Sequence, residues 1–153
     1  MLTVKDFWRE FLGATGRDLS LKCPGDWCFE FPDENVTNYL ISLILQGKKK
    51  ATTSCLASYE IDKSPLPKIG DYHILTDLTG NPLCILITTN VLIMPFKDMT
   101  FDICKREGKD QTLESWQNRH REFFIGEGQE MGYEFEDDSL IVFEDFEIVY
   151  QKR

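Results

Sequence analysis

At Gly47 the chain changes its period. Upstream, Val36, Leu40, Leu43 and Ile44 fall on one face of a helix that starts near Asp33. Downstream, from Thr52 to Tyr59, small, hydroxylated and apolar residues read as a strand. Gly47 stands where a helix needs its C′ residue, a position that favours the left-handed backbone only glycine adopts without strain. A chain that passes from helical to extended patterning at this point must pack helices against a sheet.

The same two patterns recur on either side. Val4, Phe7, Trp8, Phe11 and Leu12 predict a first amphipathic helix with Thr3 as its N-cap, and Asp18 to Pro32 is irregular around the Pro24-Gly25 turn. Tyr72 to Leu75 and Leu83 to Val91 are extended runs around Asp77-Leu78-Thr79-Gly80-Asn81, a predicted hairpin. Met94-Pro95-Phe96 breaks the second run. A short helix is predicted over Met99 to Lys105, and a longer one is written by Leu113, Trp116, His120 and Phe123. Leu140 to Phe143 and Phe146 to Tyr150 read as two closing strands. Helices first, consecutive strands in the middle, a helical insertion and late strands predict an α+β fold: a small, mostly antiparallel β-barrel with flanking helices.

At 153 residues the chain is read as one domain over 1–153, with 1–32 as an N-terminal helix and lead-in. Its net charge of -9 opposes non-specific binding to a phosphate backbone, so no DNA partner is expected and a long RNA would need a local basic patch. No apolar stretch is long enough to span a bilayer, and Lys5, Asp6, Arg9 and Glu10 interrupt any apolar leader, so no membrane association is expected. Five cysteines, an odd number, three of them single within apolar runs, point to a reducing cytoplasm. Cys23 and Cys28 are not followed by a second cysteine pair, and His73 and His120 are far apart, so neither a metal site nor a cofactor is expected.

Chemistry concentrates in Gly47-Lys48-Lys49-Lys50-Ala51-Thr52-Thr53-Ser54. Two readings stand side by side. Lysines just past a helix C-terminus complement its macrodipole, by about 0.3–1 kcal/mol each when exposed, and they guard the following strand against edge pairing. Alternatively, Lys49 lies at the mouth of the barrel, where desolvation and its neighbours Lys48 and Lys50 would favour a neutral amine able to act as base or nucleophile. Thr52 would then orient water or substrate, and Glu107, before Gly108 at a break between two helical patterns, would supply a carboxylate. His120 and Trp116 share one helix face. His120 fits a core histidine with a backbone partner or a catalytic one, and Trp116 fits helix packing or stacking on a base.

Gly47-x-Lys49-x-x-Thr52, Lys68-x-Gly70-Asp71 before a strand, and Glu107-Gly108 followed by Leu113, Trp116, His120 and Phe123-Phe124 together resemble the ASCH domain family, in its longer bacterial form, from about residue 33 onward. The resemblance implies a PUA-like barrel with a cleft for RNA or a modified nucleoside. Some members are amidohydrolases that remove an acyl group from the exocyclic amine of cytidine, and others are reported as ribonucleases. It implies Lys49, Thr52 and Glu107 as catalytic residues, with Gly47, Lys48, Lys50, Ser54, Trp116 and His120 around the ligand. Ser54 departs from the compact amidohydrolases, which carry an arginine there; Lys48 or Lys50 would have to replace that cation, without its planar fork. The expected partner is a small nucleoside-like ligand or RNA, and the alternatives to a hydrolase are a non-catalytic RNA-binding module and a ribonuclease using the same cleft.

Overall fold

The computed structural model describes residues 2–29 and 31–152. Glu30, within the irregular lead-in, lies outside them. The elements run α1 (Val4–Ala14), β1 (Asp26–Trp27), α2 (Glu34–Leu45), β2 (Ala51–Cys55), α3 (Leu56–Asp62), β3 (Tyr72–Thr76), β4 (Pro82–Pro95), α4 (Phe101–Cys104), α5 (Leu113–Met131) and β5 (Leu140–Gln151). One-turn 3₁₀ segments cover Phe96–Asp98 and Lys105–Glu107.

Local signals are realised where the sequence places them. Thr3 caps α1 by accepting from the Asp6 amide at 3.1 Å, and Asp33 caps α2 by accepting from the Asn35 amide at 2.9 Å. Gly47 has φ +74°, and the amides of Gly47 and Lys48 return to the carbonyls of Ile44 and Leu43 at 2.9 and 2.8 Å. That is the paired hydrogen bonding of a Schellman stop. The Asp77–Asn81 turn is held by the Asp77 carboxylate, which accepts from the Thr79 and Asn81 amides.

The strands form one sheet in the order β1-β3-β4-β5-β2, antiparallel except for the parallel β1–β3 pair. The fold is α+β as expected, but the sheet is mixed and open: β1 and β2 are its two ends, and a closed barrel is not formed among the described residues. The parallel pair escapes sequence reading because β1 is only two residues long and exists by virtue of Asp26 and Trp27 lying in register with Ile74 and Leu75.

Alternation along β3 and β4 separates two helical layers. Ile74 and Ile85 pack with Phe7, Trp8, Phe11 and Leu12 of α1, while Leu75, Cys84 and Leu86 pack with Ile41 and Ile44 of α2. Adjacent residues of a strand face opposite sides, so α1 and α2 cover opposite faces of the sheet. A third cluster joins Trp116 and Phe124 of α5 to Phe96, Ala51, Cys55, Ile141 and Phe143.

Three boundaries differ from the sequence reading. The predicted strand from Thr52 to Tyr59 ends at Cys55, and α3 begins at Leu56, where the Ser58 hydroxyl donates to the Cys55 carbonyl at 2.7 Å. The break at Met94-Pro95-Phe96 falls at its last residue: β4 runs on through Met94 and Pro95, which still lie opposite Ile141 and Leu140, and the 3₁₀ turn begins at Phe96. The two closing strands are one, β5, and the irregularity falls instead on β4, where the register shifts at Ile85/Leu86 and Thr88/Asn90. No helix among the described residues is long and apolar enough to cross a membrane.

Candidate functional site

Lys49 sits in the connection between α2 and β2, and Glu107 in the 3₁₀ turn between α4 and α5, yet the two chain segments are stitched together. The Lys50 amide donates to the Arg106 carbonyl at 2.9 Å, and the Phe146 amide donates to the Lys50 carbonyl at 2.9 Å. Gly108, at φ +78°, closes the turn directly against the backbone of Lys48. Glu107 is thereby carried to the start of β2.

There Glu107 and Lys49 are buried, 4% and 5% exposed, and form an ion pair at 3.2 Å between Nζ and Oε1. The Lys49 ammonium also donates to the Ala51 carbonyl at 2.8 Å. Glu107 Oε2 accepts from Thr53 Oγ1 at 2.7 Å and from Trp116 Nε1 at 2.6 Å, with His120 Nε2 at 3.3 Å. The other ring nitrogen of His120, Nδ1, lies 2.8 Å from the Trp116 carbonyl, and the His120 and Trp116 rings stack at 4.1 Å. Burial on its own would raise the Glu107 pKa; the Lys49 charge and the His120 and Thr53 contacts outweigh it and hold the carboxyl well below the usual carboxylate range.

This network floors a cavity of about 400 Å³. Trp27, Phe29, Phe31 and Phe123 supply aromatic walls, Val36 and Leu40 aliphatic ones, and Lys49, Thr52, Thr53, Ser54, Glu107 and His120 the polar base. The Lys49 ammonium lies 5.9 Å from the centre of the Phe29 ring. With two of its three N–H groups committed to Ala51 and Glu107, one remains for a ligand. The Trp27 ring packs against the His73 ring, tilted by 36° with centroids 4.6 Å apart. His73 Nε2 is 2.9 Å from both Thr88 Oγ1 and Glu144 Oε2, and Thr88 Oγ1 donates to the same carboxylate oxygen at 2.6 Å. Thr52 lies opposite Glu144 in the β2–β5 register.

Lys49, Thr52, Ser54, Glu107 and His120, all read as site residues from the sequence, therefore line one cavity. Four others do not. Gly47, Lys48 and Lys50 are exposed and outside the lining, because the Schellman stop turns the chain so that only the middle lysine faces inward. Trp116 is fully buried in the core and offers no face to a ligand; it reaches the site only through its indole N–H on Glu107. The expected setting of Lys49 among other amines is likewise replaced, since Lys48 and Lys50 face solvent and its ionic partner is Glu107. His120 has the backbone partner of its core reading, with Nδ1 on the Trp116 carbonyl, while its Nε2 lies 3.3 Å from Glu107 Oε2 at the cavity.

Residues that sequence reasoning passed over include Thr53, Trp27, Lys109 and Arg119, all of them on the cavity. Thr53 carried a signal, its hydroxyl next to Thr52, but strand alternation assigns neighbours to opposite faces. On β2, the terminal strand of the sheet, Thr52, Thr53 and Ser54 nevertheless all border the cavity. Among the described residues no group of histidine, cysteine and carboxylate side chains is arranged to hold a metal ion.

The chain matches the ASCH domain over residues 27–150. Protein EF3133 from Enterococcus faecalis V583, assigned to the family DUF984, superposes with a TM-score of 0.88 at 34% identity, over 97% of this chain and 88% of that one. An ASCH domain from Lactobacillus crispatus JV V101 superposes with a TM-score of 0.86 at 30% identity, over 97% of this chain and 94% of its own. No curated protein matches. With the family match spanning β1 to β5 and the fold shared along almost the whole chain, the protein belongs to the ASCH domain family.

Proposed function

We propose that the protein is a hydrolase of a small amide carried on a nucleoside-like molecule. The observation that carries this reading is the buried Lys49–Glu107 pair at the floor of an aromatic cavity. The cavity's volume falls at the lower end of the range for small-ligand sites, roughly 300–1,000 Å³, and aromatic walls suit a planar base. The net charge of -9 favours a small ligand over a long RNA.

In this reading the uncommitted N–H of Lys49 donates to the carbonyl oxygen of the amide and stabilises the negative charge that develops there. Thr52 orients the attacking water, whose oxygen bonds to the carbonyl carbon; its proton passes to the amide nitrogen as the C–N bond breaks, releasing the carboxylic acid and the free amine. Glu107, filled by its donors and held in its ionised form, is a weaker base than an ordinary glutamate, and its part is to fix Lys49 against the ligand. The aromatic walls exclude bulk water and hold the base in plane. Ser54 leaves the β2 wall without the arginine of the compact amidohydrolases, and Arg119 of α5 brings a guanidinium to the same cavity from the other side of the chain.

The test is hydrolysis of a panel of N4-acylated cytidines by the purified protein. At least one is expected to be cleaved, with Lys49→Ala slowing cleavage about a hundredfold or more, as loss of an oxyanion donor does, and Thr52→Val on the order of a hundredfold through misplaced water. A panel left intact, or cleavage undiminished in Lys49→Ala, overturns the proposal.

A further inference from the structure

Three cationic side chains, Lys49, Lys109 and Arg119, border the cavity of a chain whose net charge is -9. Two of them are matched. Lys49 is paired with Glu107, and Arg119 is clamped by Asp110, with Nε 3.3 Å from Oδ1 and an Nη2 contact to Oδ2, while Ser115 Oγ donates to Asp110 Oδ1 at 2.7 Å. Lys109 is the exception. It is partly buried, its ammonium stands 6.0 Å from the Tyr39 ring centre, and among the described residues no carboxylate reaches it as an ion pair.

Partial burial of an ammonium without an ion-pair partner is unfavourable. Desolvation lowers the Lys109 pKa, and the charges of Arg119 and Lys49 lower it further, while Asp110 opposes them. The cations therefore feel one another across the cavity, and an anion between them would relieve that repulsion. Arg119 is prepared for this as well. Asp110 takes one edge of its guanidinium and fixes the plane, leaving the remaining N–H groups for a second acceptor.

We infer that the cavity takes its nucleoside-like ligand with a phosphate attached, the base between the aromatic walls and the phosphate on Lys109 and Arg119. The inference rests on the nucleoside reading of the cavity and adds the charged group to it. The phosphate belongs either to a free nucleotide or to an RNA chain, and both present the same oxygens.

Calorimetric titration separates the possibilities without requiring turnover. N4-acetylcytidine, its 5′-monophosphate and a dinucleotide bearing it are titrated into the intact protein and into Lys109→Ala and Lys109→Arg. The monophosphate is expected to bind about tenfold more tightly than the nucleoside, in line with a charge-assisted contact. That preference should vanish in Lys109→Ala and survive in Lys109→Arg. Tighter binding of the dinucleotide than of the monophosphate assigns the phosphate to an RNA chain, and weaker binding assigns it to a free nucleotide. Equal affinity for nucleoside and monophosphate, or a preference that persists in Lys109→Ala, overturns the inference and leaves the nucleoside reading standing. Failure of every probe to bind overturns both.

Discussion

The α-carbon of Gly108 packs against the carbonyl of Lys48 so closely that a Cβ on it would lie 2.1 Å from that oxygen. This contact joins the turn that carries Glu107 to the segment that carries Lys49. Gly108→Ala meets two penalties at once, a left-handed backbone that costs roughly 1–2 kcal/mol for a residue with a Cβ and an overlap with main chain that cannot rotate away. The variant should unfold at least ~5 °C lower, given about 2–4 °C per kcal/mol for a domain of this size. It should also lose activity in the native state, because relief of the overlap moves Glu107 away from Lys49. Thermal melts and assays below the melting range check the two effects separately.

Glu107 and Lys49 are both buried, so removal of either charge strands the other. Lys49→Met and Glu107→Gln should each cost about 3 kcal/mol, in the range for breaking a buried pair from one side. The double variant strands nothing and should cost less than the sum of the two, with a coupling of ~1 kcal/mol or more. Urea unfolding of the four proteins closes the cycle. Additive costs would mean that the pair is not coupled in solution.

The same pair sets a pH dependence. The folded Glu107 carboxyl is held below its ordinary value of 4.5, so as pH falls the unfolded chain takes up this proton first. Stability then declines with falling pH, since the unfolded state binds more protons. The stability advantage of the wild-type protein over Glu107→Gln should be level from neutral pH down to about pH 5 and should shrink below 4.5, the window between the unfolded and folded titrations. Unfolding curves for both proteins at pH 7, 5, 4 and 3 measure it. An advantage unchanged at pH 3 would contradict the assignment.

How much of this was legible in the sequence depends on the range of the interactions involved. Gly47, Thr3 and Asp33 act on residues within one turn of themselves, and each does what its local pattern predicts. Lys49, Thr52 and Glu107 were identified by their spacing and family likeness, and the fold brings them to one cavity. Trp116 takes its helix-packing reading and Lys50 its solvent-facing one, and what ties them to Glu107 and its turn is an indole N–H and a backbone amide, which no side-chain pattern announces. β1 and its Trp27 were invisible, because a two-residue strand has no period and is defined by a partner almost fifty residues away. The barrel failed for a related reason, since closure depends on which strands meet at the edges and no local pattern encodes that.

Trp27 illustrates what such an invisible element contributes. Its indole forms one wall of the cavity, and its ring neighbours are Phe29 at 5.3 Å, Phe146 at 5.7 Å and the His73 ring at 4.6 Å. His73 is itself aimed by Glu144 and Thr88, both almost fully buried. Trp27→Ala removes a stacking surface worth about 1–3 kcal/mol per base and should raise KM for a cleaved nucleoside about tenfold. His73→Ala removes only the support behind that surface and should raise KM by a smaller factor, with kcat within about twofold of wild type, because His73 stands behind the wall and Lys49 at the floor. His73→Phe keeps a flat ring against the indole and should recover most of the lost KM. Steady-state kinetics on the three variants decide the matter: a fall in kcat at constant KM in His73→Ala would move His73 from the wall to the chemistry.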